Sequence, residues 1–198
     1  LSDLEPTSEA WKTFYLGNKP AAYGVDQTLG TTPLWQQLGN LDQAKSNYGA
    51  IVYNKAPSVL KQLNFLVGDS AFQRGVRRFL ARHAYANATW QDLLAAIGGA
   101  AGRDLSAWGR QWMLRPGMPE LETRVTWQRG RIASLRLVQR PAQPSVSGQG
   151  SWPLKLRVTA VQCDSACRAH PERGLAMTGT ARSVDVELRG RETEIPQL

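Results

Sequence analysis

Two histidines, two cysteines and a pair of tyrosines ahead of a helix are the residues here whose types and spacing could do chemistry. His83 and His170 stand 87 positions apart and neither has a second histidine four residues away, so the chain holds no H-E-x-x-H helix. Cys163, Cys167 and His170 offer two thiolates and an imidazole, but a structural zinc site takes four ligands and no second pair stands nearby. The same cysteines read equally as a short-loop disulfide or as two ordinary thiols. Serines are plentiful, yet no G-x-S-x-G elbow accompanies them. The glycine-rich Gly98-Gly99-Ala100-Ala101-Gly102 stretch follows a helical pattern rather than a strand and lacks the Lys-Ser/Thr of a phosphate loop. Glu120 and Glu122 sit at strand spacing and read as solvated. By chemistry alone the chain lacks a self-sufficient active site. One segment stands apart: Tyr48-Gly49-Ala50-Ile51-Val52-Tyr53-Asn54-Lys55-Ala56-Pro57 runs two tyrosines into a strong helical pattern. A phenol at a helix mouth can donate a hydrogen bond to a developing oxyanion; the plainer reading of such a tyrosine is packing.

The elements that must position these residues divide into two halves. Before Pro116-Gly117 the pattern is helical. Val59, Leu60, Leu63, Leu66 and Val67 repeat at helix spacing behind Pro57, a residue suited to a first helical position, and Gly68 is a natural stop. Asp69 or Ser70 can cap the next helix, with Phe72, Val76, Phe79 and Leu80 as its apolar stripe and Arg74, Arg78 and Arg82 as a solvated row. Thr89 and Asp92 read as a capping box ahead of Trp90, Leu93, Leu94 and Ile97. Asp104 can cap a last helix whose Trp108 and Trp112 belong to a core. After Gly117 the period changes to two, over Leu121–Trp127, Leu135–Leu137, Trp152–Ala160 and Val184–Leu188, with a short final strand at Glu192–Ile195. The expected fold class is α+β, with a helical unit over 1–117 and an antiparallel β-sandwich unit over 118–198.

The 198 residues carry a formal charge of +8, which invites a nucleic-acid partner. The excess is split evenly, however, with 12 basic and 8 acidic residues on each side of Gly117. A nucleic-acid footprint concentrates on one element and interleaves with aromatics; this one does neither, so no nucleic-acid partner is expected. No apolar run reaches the length of a membrane span.

The order of motifs resembles the aminopeptidase N family of zinc metallopeptidases (gluzincins). Ile51-Val52-Tyr53-Asn54-Lys55-Ala56 is similar to the family's Tyr-x-Lys-Gly segment, with Ala56 in place of its glycine. Gly68-Asp69 through His83-Ala84-Tyr85-Ala86-Asn87-Ala88-Thr89 resembles the helix pair and turn that follow, and Arg103-Asp104-Leu105 through Pro116-Gly117-Met118-Pro119 resembles the end of the catalytic domain. The resemblance covers about residues 48–119. It implies a helical C-terminal part of a thermolysin-like peptidase domain followed by a β-sandwich, and an activity that releases N-terminal residues from peptides. It also implies that Tyr53 is the catalytic tyrosine supporting the oxyanion and that Tyr48 lies beside the same substrate pocket. The zinc would be bound by residues upstream of this chain, whose own Leu1-Ser2-Asp3-Leu4 resembles sequence shortly after the third ligand. No metal ligand is expected among the present residues. The expected partners are a peptide substrate and the upstream part of the same enzyme. A non-catalytic protein-interaction module on the same scaffold is the competing expectation.

Overall fold

The structure, a computed structural model, describes residues 5–129, 131–161 and 181–196. Leu1–Leu4 and the Cys163, Cys167 and His170 group lie outside the described residues. The helical part comprises α1 (Ala10–Thr13), α2 (Lys19–Asp26), α3 (Leu41–Ser46), α4 (Ala56–Val67), α5 (Asp69–Arg82), α6 (Trp90–Ala101) and α7 (Ser106–Met113). Then come β1 (Pro119–Gln128), β2 (Arg131–Pro141), the short α8 (Pro144–Ser147), β3 (Leu154–Val161), β4 (Ala181–Leu188) and β5 (Glu192–Glu194). Helices followed by antiparallel strands fulfil the α+β expectation. The strands form two small sheets, one of order β1-β2-β5 and one pairing β3 with β4.

Local chemistry accounts for several helix ends. Thr89 accepts a hydrogen bond from the Asp92 N–H while the Asp92 carboxylate accepts from the Thr89 N–H, so the capping box forms in full. Asp104 accepts from the backbone and hydroxyl of Ser106 at the start of α7, although Leu105 rather than Asp104 holds the N-cap position. Two further expectations are corrected. Neither Asp69 nor Ser70 caps α5: Gly68 holds the N-cap position, and Asp69 is already helical, where its carboxylate favours the positive end of the dipole. Leu80, counted with the apolar stripe, is 62% exposed.

The run leading into α4 also starts earlier than Pro57. Ile51–Lys55 forms a π turn closed by the Ala56 N–H on the Ile51 carbonyl, and α4 continues directly from it. Proline has no N–H to offer the carbonyl four residues before it, which here belongs to Tyr53, and such places are where helices widen or kink. A second π turn, Phe14–Asn18, joins α1 to α2. The two turns are linked by Asn18 Nδ2 donating to Asn54 Oδ1 at 3.2 Å.

One apolar cluster receives side chains from both helices and strands. Val59, Leu63 and Leu66 of α4, Leu94 and Ile97 of α6 and Trp108 and Trp112 of α7 meet Leu135, Leu137, Trp152, Leu154, Val186 and Leu188. Helices α5 and α6 approach so closely that a Cβ on Gly75 would stand 2.5 Å from Ile97 Cα, which only glycine avoids. Polar bridges reinforce the contact between helices and strands. Gln62 exchanges two hydrogen bonds with the backbone of Lys155, and Trp112 Nε1 donates to the Pro153 carbonyl. Buried Gln139 accepts from the Trp152 N–H and donates to the carbonyls of Trp152 and Gly190, tying β2 to the start of β3. Arg115 lies over the Trp152 ring at 3.6 Å and donates to the carbonyls of Ser147, Gly148, Gln149 and Ser151. β1 departs from the expected pattern. Trp127, assigned by alternation to an apolar face, is 66% exposed, because β1 is the edge of its sheet and a bulge interrupts its pairing at Thr126/Trp127.

Arg103, just after α6, grips Glu187 of β4 with two parallel hydrogen bonds of 2.8 and 2.9 Å. This fork, joined by Arg189, lowers the Glu187 carboxyl from 4.5 to about 2. A depressed folded-state value stabilises the fold at pH above the unfolded value, and that contribution disappears as pH falls from 4.5 towards 2. The urea midpoint of Arg103→Met is therefore expected to fall less steeply than the wild type's across that acid window. Equal slopes would show that the fork contributes nothing to acid stability.

Candidate functional site

Helix α2 and the π turn before α4 build the site. Along α4 and the turn ahead of it, Ile51, Lys55, Val59, Leu63 and Leu66 form one buried stripe. Residues two positions apart on a helix point to opposite sides, so the stripe that buries Lys55 turns Tyr53 outward. Lys55 is 5% exposed and Tyr53 59% exposed. Tyr48 is 65% exposed, and its ring meets that of Tyr53 edge to face, with centroids 5.9 Å apart and planes at 70°. The two tyrosines singled out by the sequence therefore stand together, both open to solvent. The Tyr53 N–H is held by the Gly49 carbonyl at 3.0 Å.

Behind them lies a buried ionic group. Lys55 Nζ sits 2.9 Å from both carboxylate oxygens of Asp26, at the end of α2, and donates to the Gly117 carbonyl at 2.8 Å. Asp26 is 2% exposed and also accepts from the Thr31 hydroxyl at 2.6 Å. Burial pushes the Lys55 ammonium below its ordinary value, and the adjacent Asp26 opposes that shift through its charge and hydrogen bond. Gly117 has φ +79°, and a Cβ there would collide with the Ser147 hydroxyl, so this close junction demands glycine. The sequence reading missed Asp26 and Gly117 as partners of Lys55, and Thr31 as a further partner of Asp26. A signal did exist: a lysine four residues before Val59 falls on the apolar stripe, and a buried charge requires a partner.

Among the described residues the other candidates form no second centre. His83 ends α5 with its ring 5.3 Å from that of Phe79. Glu120 pairs with Arg140 and Glu122 with Arg124, not with each other. Arg74, Arg78 and Arg82 are exposed. A cleft of about 340 Å³ between α6 and α7 and another of about 430 Å³ between the first helices, α4 and β3 contain neither Tyr48 nor Tyr53. Among the described residues no three His, Cys, Asp or Glu side chains converge so as to hold a metal ion. No helix among them is long and apolar enough to cross a membrane.

Residues 1–112 match the Peptidase family M1 domain. The chain belongs to peptidase family M1. Aminopeptidase N of Streptomyces lividans is 35% identical over 196 residues, a match covering 96% of this chain and 22% of that protein. Leucyl aminopeptidase of Saccharolobus solfataricus is 29% identical over 129 residues, covering 65% of this chain and 16% of that protein. Alanine/arginine aminopeptidase of Saccharomyces cerevisiae is 28% identical over 121 residues, covering 61% and 14%. This M1 chain thus spans less than a quarter of the length of these relatives. The family match ends within α7, one residue before Met113, and the Streptomyces relative extends the similarity through the strands.

Proposed function

We propose that this M1 chain is the C-terminal part of a zinc-dependent aminopeptidase that removes N-terminal residues from peptides, and that its metal ligands lie on residues outside it. In this reading residues 1–117 are the closing helical part of a thermolysin-like domain. Residues 118–198 belong to a β-sandwich, an assignment supported by the two antiparallel sheets that feed side chains into one core. Zinc would supply the activated water and polarise the scissile carbonyl; no residue described here takes part in holding it. What this chain contributes is a hydrogen-bond donor. The Tyr53 phenol, set outward on a turn anchored from behind, donates to the oxyanion that forms when the peptide carbonyl becomes tetrahedral. Tyr48 packs against its ring and borders the substrate, limiting the directions the phenol can take.

The observation carrying this reading is the outward, solvent-open phenol of Tyr53 on a backbone fixed by a buried ion pair, within a chain of family M1. The test is hydrolysis of aminoacyl anilides by the complete protein that contains this chain. Turnover is expected with a free α-amino group, to vanish when that amine is acetylated, and to be lost on chelation and restored by zinc. A complete protein that binds peptides without cleaving any such substrate would overturn the proposal.

A further inference from the structure

The Lys55–Asp26 pair does no chemistry in the reading above, and its ammonium lies on the opposite side of the helix from the phenol. Its two partners nevertheless come from places far apart in sequence. Asp26, which also accepts from the Thr31 hydroxyl, closes α2, and Gly117 is where the chain leaves α7 for β1. Both converge on the last residue of the π turn that carries Tyr53. A π turn is a single widened turn whose place in a helix is not dictated by regular hydrogen bonding, and such turns recur at functional sites. This one has its own bond from Ala56 to Ile51 and the exposed Asn18–Asn54 contact; Ile51 and Lys55 are its buried side chains, and Lys55 makes the buried polar attachment to the rest of the fold.

The geometry points to Lys55 as a positioning residue: through Asp26 and the Gly117 carbonyl it locks the π turn so that the Tyr53 phenol is held at the reacting carbonyl. This rests on the aminopeptidase reading of Tyr53 and extends it to a residue that touches no substrate. A buried pair suits the task. Two hydrogen-bonded charges in a dry site resist displacement, whereas an apolar side chain in the same space could slide by the fraction of an ångström that matters for a transition-state donor. The desolvated state of the ammonium agrees with a tether closed to water.

The test uses the complete enzyme and a double-mutant cycle. Replacing one partner alone would leave an unpaired buried charge, so both are removed together in Lys55→Met/Asp26→Leu, and folding is verified by thermal melting. The paired variant is expected to lose roughly ten- to hundredfold in kcat, the scale expected for a misplaced catalytic group, with KM within about twofold of wild type. Combined with Tyr53→Phe, it is expected to add less than about twofold to the loss that Tyr53→Phe produces alone, because no phenol remains to be placed. A loss equally large in both backgrounds would show a general structural role and overturn the tether. So would wild-type kcat in the paired variant. If Tyr53→Phe itself leaves kcat unchanged, the aminopeptidase role of Tyr53 falls first and the tether falls with it. The single variant therefore separates the two failures.

Discussion

Replacing Tyr53 with Phe in the complete protein is expected to lower kcat by about 10²–10³-fold while leaving KM nearly unchanged. The substitution removes one oxygen from a side chain that is already open to solvent, so packing and folding should be preserved. The ring that meets Tyr48 edge to face stays in place. Only the proposed hydrogen bond to the oxyanion would disappear. Such a bond is weak to a planar ground-state carbonyl and strengthens as negative charge collects on oxygen, which is why the loss is expected on kcat rather than on binding. Tyr48→Phe keeps the same edge-to-face contact and is expected to change kcat/KM by less than about tenfold, because its proposed role is to border the pocket. Steady-state rates on an aminoacyl anilide, paired with inhibition by a non-hydrolysable peptide analogue, separate the two effects. A Tyr53→Phe enzyme whose KM rises while kcat holds would make Tyr53 a binding residue and remove it from the chemistry.

The second large effect is on stability. Lys55→Met alone is expected to destabilise the fold by about 3–5 kcal/mol, since it leaves the Asp26 carboxylate buried with only the Thr31 hydroxyl for company. The companion change decides the mechanism. In Lys55→Met/Asp26→Leu no charge is stranded, and much of the loss is expected to return, because two apolar side chains of similar length can fill the space between α2 and the π turn. Chemical denaturation of both variants, read by tryptophan fluorescence, measures this directly. Trp108 and Trp112 are buried in the same core and will report its opening. If the single variant melts with the wild type, the pair is not the buried junction described here. The stability and kinetic results are independent: the paired variant is expected to regain its fold without regaining its rate.

Much of this architecture was legible because it follows from neighbours in sequence. The Thr89/Asp92 box, the end of α4 at Gly68, the Asp104 bonds to Ser106 and the alternation in β3 and β4 each depend on residues within a few positions of one another. Two of the corrections have the opposite character. Leu80 fits the helical period but faces solvent, and Trp127 fits the strand period but lies on an uncovered edge, because periodicity reports a face and not what covers it. The π turn was missed for a related reason. A widened turn is one residue of extra phase, and nothing in Ile51–Lys55 announces it except Pro57 downstream.

The candidate site divides along the same line. Tyr48 and Tyr53 were readable as a pair ahead of a helix, and the family resemblance of Tyr53-x-Lys55 marked the segment. The even distribution of charge and the lack of an H-E-x-x-H pair were likewise matters of residue type and spacing, open to inspection without any fold. The sequence by itself thus determined helices α4 to α7 and the main strand segments, the family resemblance and the tyrosine on which the chemistry is proposed to turn, while α1 to α3 went unread. Only the tertiary structure decided that Lys55 is a buried anchor, that Asp26 and Gly117 are its partners from 29 and 62 residues away, and that Tyr53 points outward from the turn it holds. The physical reason is that a buried charge selects its partners by proximity in the folded chain, and sequence distance carries no record of that proximity.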